Sequence, residues 1–183
     1  MSLIADYLRL VKEAISALPE DAIQDVVDTL RKAHTEGKQV LLLGNGGSAA
    51  NATHIAEDLQ KGLKEHTGRR FKVISLADST PLITAWANDT SYERVFVEQI
   101  ESLLDPGDVV IAISGSGNSP NVLRAVEKAN EMGAVTIGWS GFAGGKLAQI
   151  AQKSIVVASD NMQRVEDVHL ILGHLVYTCM VKP

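Results

Sequence analysis

A chain of 183 residues is one ordinary domain with room for a core, and 45% apolar against 21% charged residues are globular values. A net charge of −5 without any basic run argues against nucleic acid as the main partner, and no stretch approaches the roughly 18 apolar residues of a membrane span. The lone cysteine, Cys179, builds neither a disulfide framework nor a CxxC metal site, and with no signal peptide visible a cytoplasmic protein is expected.

The first predicted helix covers Ser2–Leu18, where Leu3, Ile4, Tyr7, Leu8, Val11, Ile15 and Leu18 form a wide apolar stripe that Pro19 ends. A second, about Glu20–Thr35, turns Ala22, Ile23, Val26, Val27 and Leu30 inward and stops at Gly37. Two helices ahead of the first strand are unusual for a minimal nucleotide-binding fold. The first carries too much apolar surface for a free arm and is expected to pack on a neighbouring subunit.

Strand Gln39–Leu43 follows, then a helix over about Ser48–Leu63, a polar loop at Lys64–Arg70 and strand Phe71–Leu76. Asp78-Ser79-Thr80-Pro81 opens a helix that Asn88-Asp89-Thr90-Ser91 breaks, and another covers about Tyr92–Leu104 before the turn Asp105-Pro106-Gly107-Asp108. Strand Val109–Ser114 leads to Ser119, a cap residue with Pro120 at the first helical position, and a helix to about Met132. Strand Ala134–Trp139, a loop at Gly141–Gly145, a short helix over about Lys146–Gln152, strand Ser154–Val157 and a helix over about Gln163–Met180 complete the chain. Strand and helix alternate five times without a hairpin signal. The expectation is a single α/β domain over residues 1–183: a three-layer sandwich around a five-stranded parallel sheet in the flavodoxin-like order 2-1-3-4-5, preceded by the two helices.

In that order the first and third strands are neighbours, and ligands bind where their crossovers part. Both strands end in small-residue loops. Gly44-Asn45-Gly46-Gly47-Ser48 lets a ligand reach bare backbone at a helix N-terminus, and Ser48 can cap the helix that follows. Ser114-Gly115-Ser116-Gly117-Asn118-Ser119 offers hydroxyls from Ser114, Ser116 and Ser119. Without the spacing of a dinucleotide fingerprint or the lysine of a P-loop, the pair suits the phosphate of a small phosphorylated molecule better than a nucleoside triphosphate.

His54 and Asp58 lie four apart on one predicted helix, and Glu166 and His174 eight apart on the last, each pair on one face. Two imidazoles and two carboxylates are a zinc-type ligand set that can close a tetrahedral shell or leave a place for substrate oxygens. Strand five lies at the far edge from strand one, so the last helix must cross back to reach the crevice, or the site must form between subunits; the second is favoured. His34, His66 and His169 are read as structural, His169 at the cleft rim.

The stretches GNGGSAANATH, SGSGNSPNV and RVEDVHLILGH together resemble the sugar isomerase (SIS) domain, and within it the phosphoheptose isomerases, over nearly the whole chain. The resemblance implies an aldose–ketose isomerase interconverting sedoheptulose 7-phosphate and an aldose heptose 7-phosphate, as a homotetramer with sites at subunit interfaces. It implies that Ser48, Ser114, Ser116 and Ser119, with the backbone of Gly46, Gly47 and Gly115, hold the phosphate, and that Asn45 and Asp89 contact the sugar chain. It maps zinc-binding and catalytic positions onto His54, Asp58, Glu166 and His174, with Glu166 also able to meet substrate. The chain departs from its relatives three times: Gly115 stands for a frequent threonine, Asp58 for glutamate and Glu166 for glutamine. The Asp58 carboxylate is shortened by one methylene, about 1.5 Å, and Glu57 is the alternative base. His174 is the acid–base partner. The departures leave another sugar phosphate open. A non-catalytic SIS module that binds a phosphosugar or a protein, such as a replication initiator, would keep the loops but have no use for His54, Asp58 and His174.

Overall fold

A computed structural model describes residues 2–182; Met1 and Pro183, the ends of the expected domain, lie outside the described residues. The chain order is α1 (Leu3–Ser16), α2 (Glu20–Glu36), β1 (Gln39–Gly44), α3 (Gly47–Glu57), a π turn (Asp58–Gly62), α4 (Leu63–Thr67), β2 (Lys72–Ser75), α5 (Thr80–Asp89), a 3-10 turn (Tyr92–Arg94), α6 (Val97–Leu103), β3 (Val109–Ser114), α7 (Pro120–Glu131), β4 (Val135–Ser140), α8 (Leu147–Ile150), β5 (Lys153–Val156) and α9 (Met162–Val181). The five strands are parallel throughout, in the order β2-β1-β3-β4-β5.

Burial on both faces explains the unbroken apolar runs in β1 and β3. Val40 and Leu42 of β1 face a core shared with α2, α3 and α9, through Val26, Leu30, Ile55 and Leu172. Leu41 and Leu43 face the opposite layer, through Ile100 of α6 and Val122, Ala125 and Val126 of α7. The turn before β3 is tied to the start of β1 by buried Asp108, which accepts from the N–H groups of Gln39 and Asp105, each at 2.9 Å. The helix α1 lies on α9 through Ala14, Val165 and Val168, and the Tyr7 hydroxyl donates to Asp167 at 2.5 Å. That bond holds the Tyr7 phenol above its usual pKa.

Four local expectations are corrected. Ser48 does not cap α3. The cap position is Gly46, at φ 55° and ψ −123°, and Ser48 sits inside the first turn, 4% exposed. Lys64–Arg70 is not all loop: the helix runs on through the π turn into α4 and ends at Gly68, in the left-handed region with φ 71°. Its residues look like loop because they cover the surface side. The single helix expected at Tyr92–Leu104 is broken into the 3-10 turn and α6. His169 is not at a cleft rim but fully buried, its Nε2 3.2 Å from the Ser140 carbonyl.

The largest correction concerns α9. The sequence favours a His54–His174 meeting between subunits because β5 is at the far edge from β1; the two meet within one chain. At 20 residues α9 is about 30 Å long, more than the roughly 19 Å between the outer strands of five. It therefore runs back across the sheet within one chain and packs along α3, with Asn51 Nδ2 donating to the Glu166 carbonyl at 2.9 Å.

Burial pushes the His169 imidazole down to about 4, against a weaker opposing pull from the Ser140 carbonyl. The native state thus refuses a proton that the unfolded chain takes below about pH 6.5. Stability should be full above that pH and fall progressively towards pH 4. Thermal melts at pH 7.5 and 5.0 should show the drop, and His169→Phe should flatten this part of the pH profile.

Candidate functional site

The loop after β1 and the loop after β3 meet over the carboxyl ends of their strands. Asn45, Gly46, Gly47, Ser48, Ser114, Gly115, Ser116 and Ser119 line one cleft of about 250 Å³ together with Met162 and Glu166 of α9. This brings together every residue expected at the phosphate, and of the two expected at the sugar chain it includes Asn45 but not Asp89. Asp89 is exposed at the end of α5, accepts from Asn88 Nδ2 at 2.8 Å and is not among the residues lining the cleft. Ser114 and Ser119 hydroxyls stand 3.3 Å apart, and Ser116 Oγ accepts from the Asn118 N–H at 3.2 Å. Among the described residues no lysine or arginine lines the cleft, so its attraction for an anion rests on hydroxyls and backbone donors.

Close backbone approach explains the glycines. A Cβ on Gly44 would come within 2.9 Å of the Ser48 and Ile113 backbones, which the tight turn cannot yield. A Cβ on Gly115 would collide with the Met162 thioether. The missing threonine is therefore matched by a methionine that fills its place. A Cβ on Gly47 would meet the Glu166 carboxylate, which fixes where that group sits.

Two turns further along α3 a second cluster forms. His54 Nε2 and His174 Nε2 are 3.1 Å apart, and Asp58 Oδ2 lies 3.6 Å from each. The two rings are about half exposed and meet edge to face. Asp58 Oδ2 is buried and has no hydrogen-bond donor, an expensive state for a carboxylate oxygen unless a cation meets it. Tetrahedral zinc with bonds near 2.0–2.1 Å has ligand–ligand edges of about 3.3 Å, close to this triangle. The donor set and the orphaned oxygen fit a divalent ion.

Glu166 is not in this triangle; it is two turns earlier on α9, at the phosphate end. Glu57 is exposed and borders a shallow groove with Thr53, His54 and Ala77. His66 Nδ1 donates locally to the Gly62 carbonyl at 2.9 Å, in keeping with a structural role.

Sequence reasoning missed Asn121, Tyr92 and Met162. Asn121 and Tyr92 both bond the Asn45 side chain, and Met162 fills the space beside Gly115. Asn121 carried a signal, since a polar residue in the first turn after Ser119-Pro120 faces the same crevice. Tyr92 and Met162 carried none without the fold.

The SIS-domain family model matches residues 5–141. The phosphoheptose isomerase of Aquifex aeolicus (strain VF5) is 44% identical over 165 residues, covering 90% of this chain and 86% of that protein. The phosphoheptose isomerase of Helicobacter pylori (strain P12) is 39% identical over 171 residues, 93% of this chain and 88% of that one. Among solved structures, the phosphoheptose isomerase of Neisseria gonorrhoeae matches with a TM-score of 0.88 at 30% identity, over 97% of this chain and 94% of that chain.

The pairing of Gly115 with Met162 is directly testable. Gly115→Thr alone should destabilise by about 1 kcal/mol, the low end of overpacking because the partly exposed Met162 side chain can swing aside, read in urea melts. Adding Met162→Ala should recover most of the loss; an unaltered midpoint for the single variant would contradict the collision.

Proposed function

The chain belongs to the SIS-domain family and, within it, to the phosphoheptose isomerases, and from that membership we propose that it interconverts sedoheptulose 7-phosphate and D-glycero-D-manno-heptose 7-phosphate. One observation carries the choice of a long sugar phosphate. The phosphate-type cleft and the His/Asp triangle stand on the same helix, and Gly47 and His54 are about 10 Å apart along its axis. A seven-carbon chain advancing about 1.3 Å per carbon spans roughly that distance from its carbonyl to its terminal phosphate.

In this reading the hydroxyls of Ser114, Ser116 and Ser119, buried Ser48 and the backbone of Gly46, Gly47 and Gly115 hold the phosphate, and Asn45 reaches the sugar chain. Asp89 closes on the sugar from the end of α5. Glu166, a carboxylate beside an anion cradle, accepts hydrogens from sugar hydroxyls, because it would repel a phosphate placed against it. His54, Asp58 and His174 would hold one zinc ion, which would polarise the carbonyl and stabilise negative charge on its oxygen.

The proton work falls to two of those side chains. In the ketose-to-aldose direction the Asp58 carboxylate takes a proton from C1, leaving an enediolate, and later returns one to C2. His174, whose Nε2 faces the metal position, moves the hydroxyl proton between O1 and O2 through Nδ1. Asp58 is favoured over Glu57 because its carboxylate lies beside the two rings, with Oδ2 towards the metal position and the other oxygen left for the proton, while Glu57 faces the outer groove. The phosphate grip supplies positioning at a distance from the reacting carbons.

We place the protein in the cytoplasm; among the described residues no helix is long and apolar enough to cross a membrane. Its working form is proposed as a homotetramer. Leu3 and Ile4 are 90% and 75% exposed on α1, and Ile171 and Leu175 of α9 are part-exposed, leaving an apolar face that a second copy would cover.

His174→Ala should lower isomerisation at least 100-fold, with an unchanged melting temperature and retained inhibition by inorganic phosphate. His54→Ala should weaken zinc binding at least tenfold in metal analysis and competition titrations. A wild-type protein that binds sedoheptulose 7-phosphate but never isomerises it is a binding module, and the enzyme reading then fails.

A further inference from the structure

We infer that Tyr92 is a positioning residue: with Asn121 it locks the Asn45 carboxamide so that a single N–H, and no acceptor, is left for the ligand. The orientation of both amides follows from one backbone group. The Val122 N–H can only donate; it is shared between the Ser119 carbonyl and the Asn121 side-chain oxygen, each 3.0 Å away, and so turns that oxygen, not the Asn121 Nδ2, towards itself. Asn45 Nδ2 donates to that same oxygen at 2.9 Å, and Asn121 Nδ2 donates back to Asn45 Oδ1 at 2.9 Å. The Tyr92 hydroxyl donates the second hydrogen to Asn45 Oδ1, also at 2.9 Å.

An amide oxygen has two lone pairs, so Asn45 Oδ1 is saturated. One Nδ2 hydrogen is committed to Asn121, and the other is the only free polar group of the side chain. Asn45 lines the cleft between the two loops. Asn121, 2% exposed, cannot turn away, whereas Tyr92 is 54% exposed and held by its 3-10 turn. The lock therefore depends on an exposed phenol outside both glycine-serine loops. Without the Tyr92 hydroxyl, Asn45 Oδ1 recovers a lone pair, and the position can accept a hydroxyl hydrogen as well as donate. With it, the position reads only an acceptor oxygen, such as the carbonyl or an ether-like lone pair of the sugar chain. The identity of that ligand as a sugar phosphate rests on the proposed function; the amide lock does not.

Tyr92→Phe, Asn45→Ala and the double variant test this, with sedoheptulose 7-phosphate binding read by calorimetry, turnover in steady state, and inorganic phosphate as competing ligand. Tyr92→Phe should raise Kd and KM about fivefold, the loss of roughly one hydrogen bond, with kcat nearly unchanged. The inhibition constant of inorganic phosphate should stay the same, since the serine loop does not depend on Tyr92. In the Asn45→Ala background Tyr92→Phe should add nothing. A parallel rise in the phosphate constant, an additive effect in the double variant, or no effect of Tyr92→Phe overturns the inference. A wild-type protein that does not bind the sugar phosphate sinks the isomerase reading instead. The lock is then decided in ¹H–¹⁵N spectra of the ligand-free protein. There the two Asn45 Nδ2 hydrogens should exchange at different rates, and Asn121→Ala should make them alike; equal rates in the wild type overturn it.

Discussion

The close parallel approach of α3 and α9 is the constraint on which the site depends. It is made by absent side chains. Gly47 leaves room for the Glu166 carboxylate, Gly173 leaves room for Ile55, and Gly62 in the π turn leaves room for the Tyr177 ring. These three contacts follow one another along the two helices, and the His54–His174 pair adjoins the second, Ile55 against Gly173. At Gly173 a methyl group would meet the fully buried Ile55 and force the helices apart, since packed interiors yield little to such a change, whereas the half-buried ends of Glu166 and Tyr177 can swing aside. The histidines meet because glycine recurs on both helices at the places where they touch.

The anion cleft is built on the opposite principle to most phosphate sites. Among the described residues it has no cation on its walls, and it carries a carboxylate at one side. Its selectivity comes from shape and donor placement: small residues that admit the ligand to the backbone, hydroxyls at 3.3 Å spacing, and an amide pair whose oxygens are occupied. A net charge of −5 adds no long-range attraction for an anion. Such a site favours a ligand that brings several hydrogen-bonding groups of its own, as a polyhydroxylated sugar phosphate does and a bare anion does not.

The strand order and the meeting of the two loops were legible in the sequence, from unbroken apolar strands and glycine-serine turns after the first and third. The pairing of His54 with His174 rested on the resemblance to the phosphoheptose isomerases, because spacing on each helix says nothing of how two helices meet. What was not legible depends on lengths and contacts between distant parts. Nothing in the run from Gln163 to Met180 states that its helix is long enough to recross the sheet, because that needs the sheet's width. The π turn at Asp58–Gly62 has no residue signature of its own, and the polar sequence after it reads as loop although it is helix. Glu166 was grouped with the triad by spacing on one helix face, yet two turns of helix separate it from His174, enough to carry it to the other end of the cleft. His169 shares its helix with those residues, and only the packing of Trp139 and Ser140 against it reveals that it belongs to the core.

Mounting both ends of the site on α3 has a mechanical consequence. The first turn of the helix borders the phosphate cleft and its last turn carries His54, with Asp58 opening the π turn directly after it. A rigid helix transmits position between them at a fixed spacing of about 1.5 Å per residue. In the proposed reading, a ligand gripped at Gly46–Ser48 would be presented to the histidines at one distance, set by the helix and not by a flexible loop. Chains shorter than that distance would reach the cleft but not the triangle. Discrimination among sugar phosphates would then lie less in contacts to individual hydroxyls than in the length of one helix between its N-terminal glycines and its final turn.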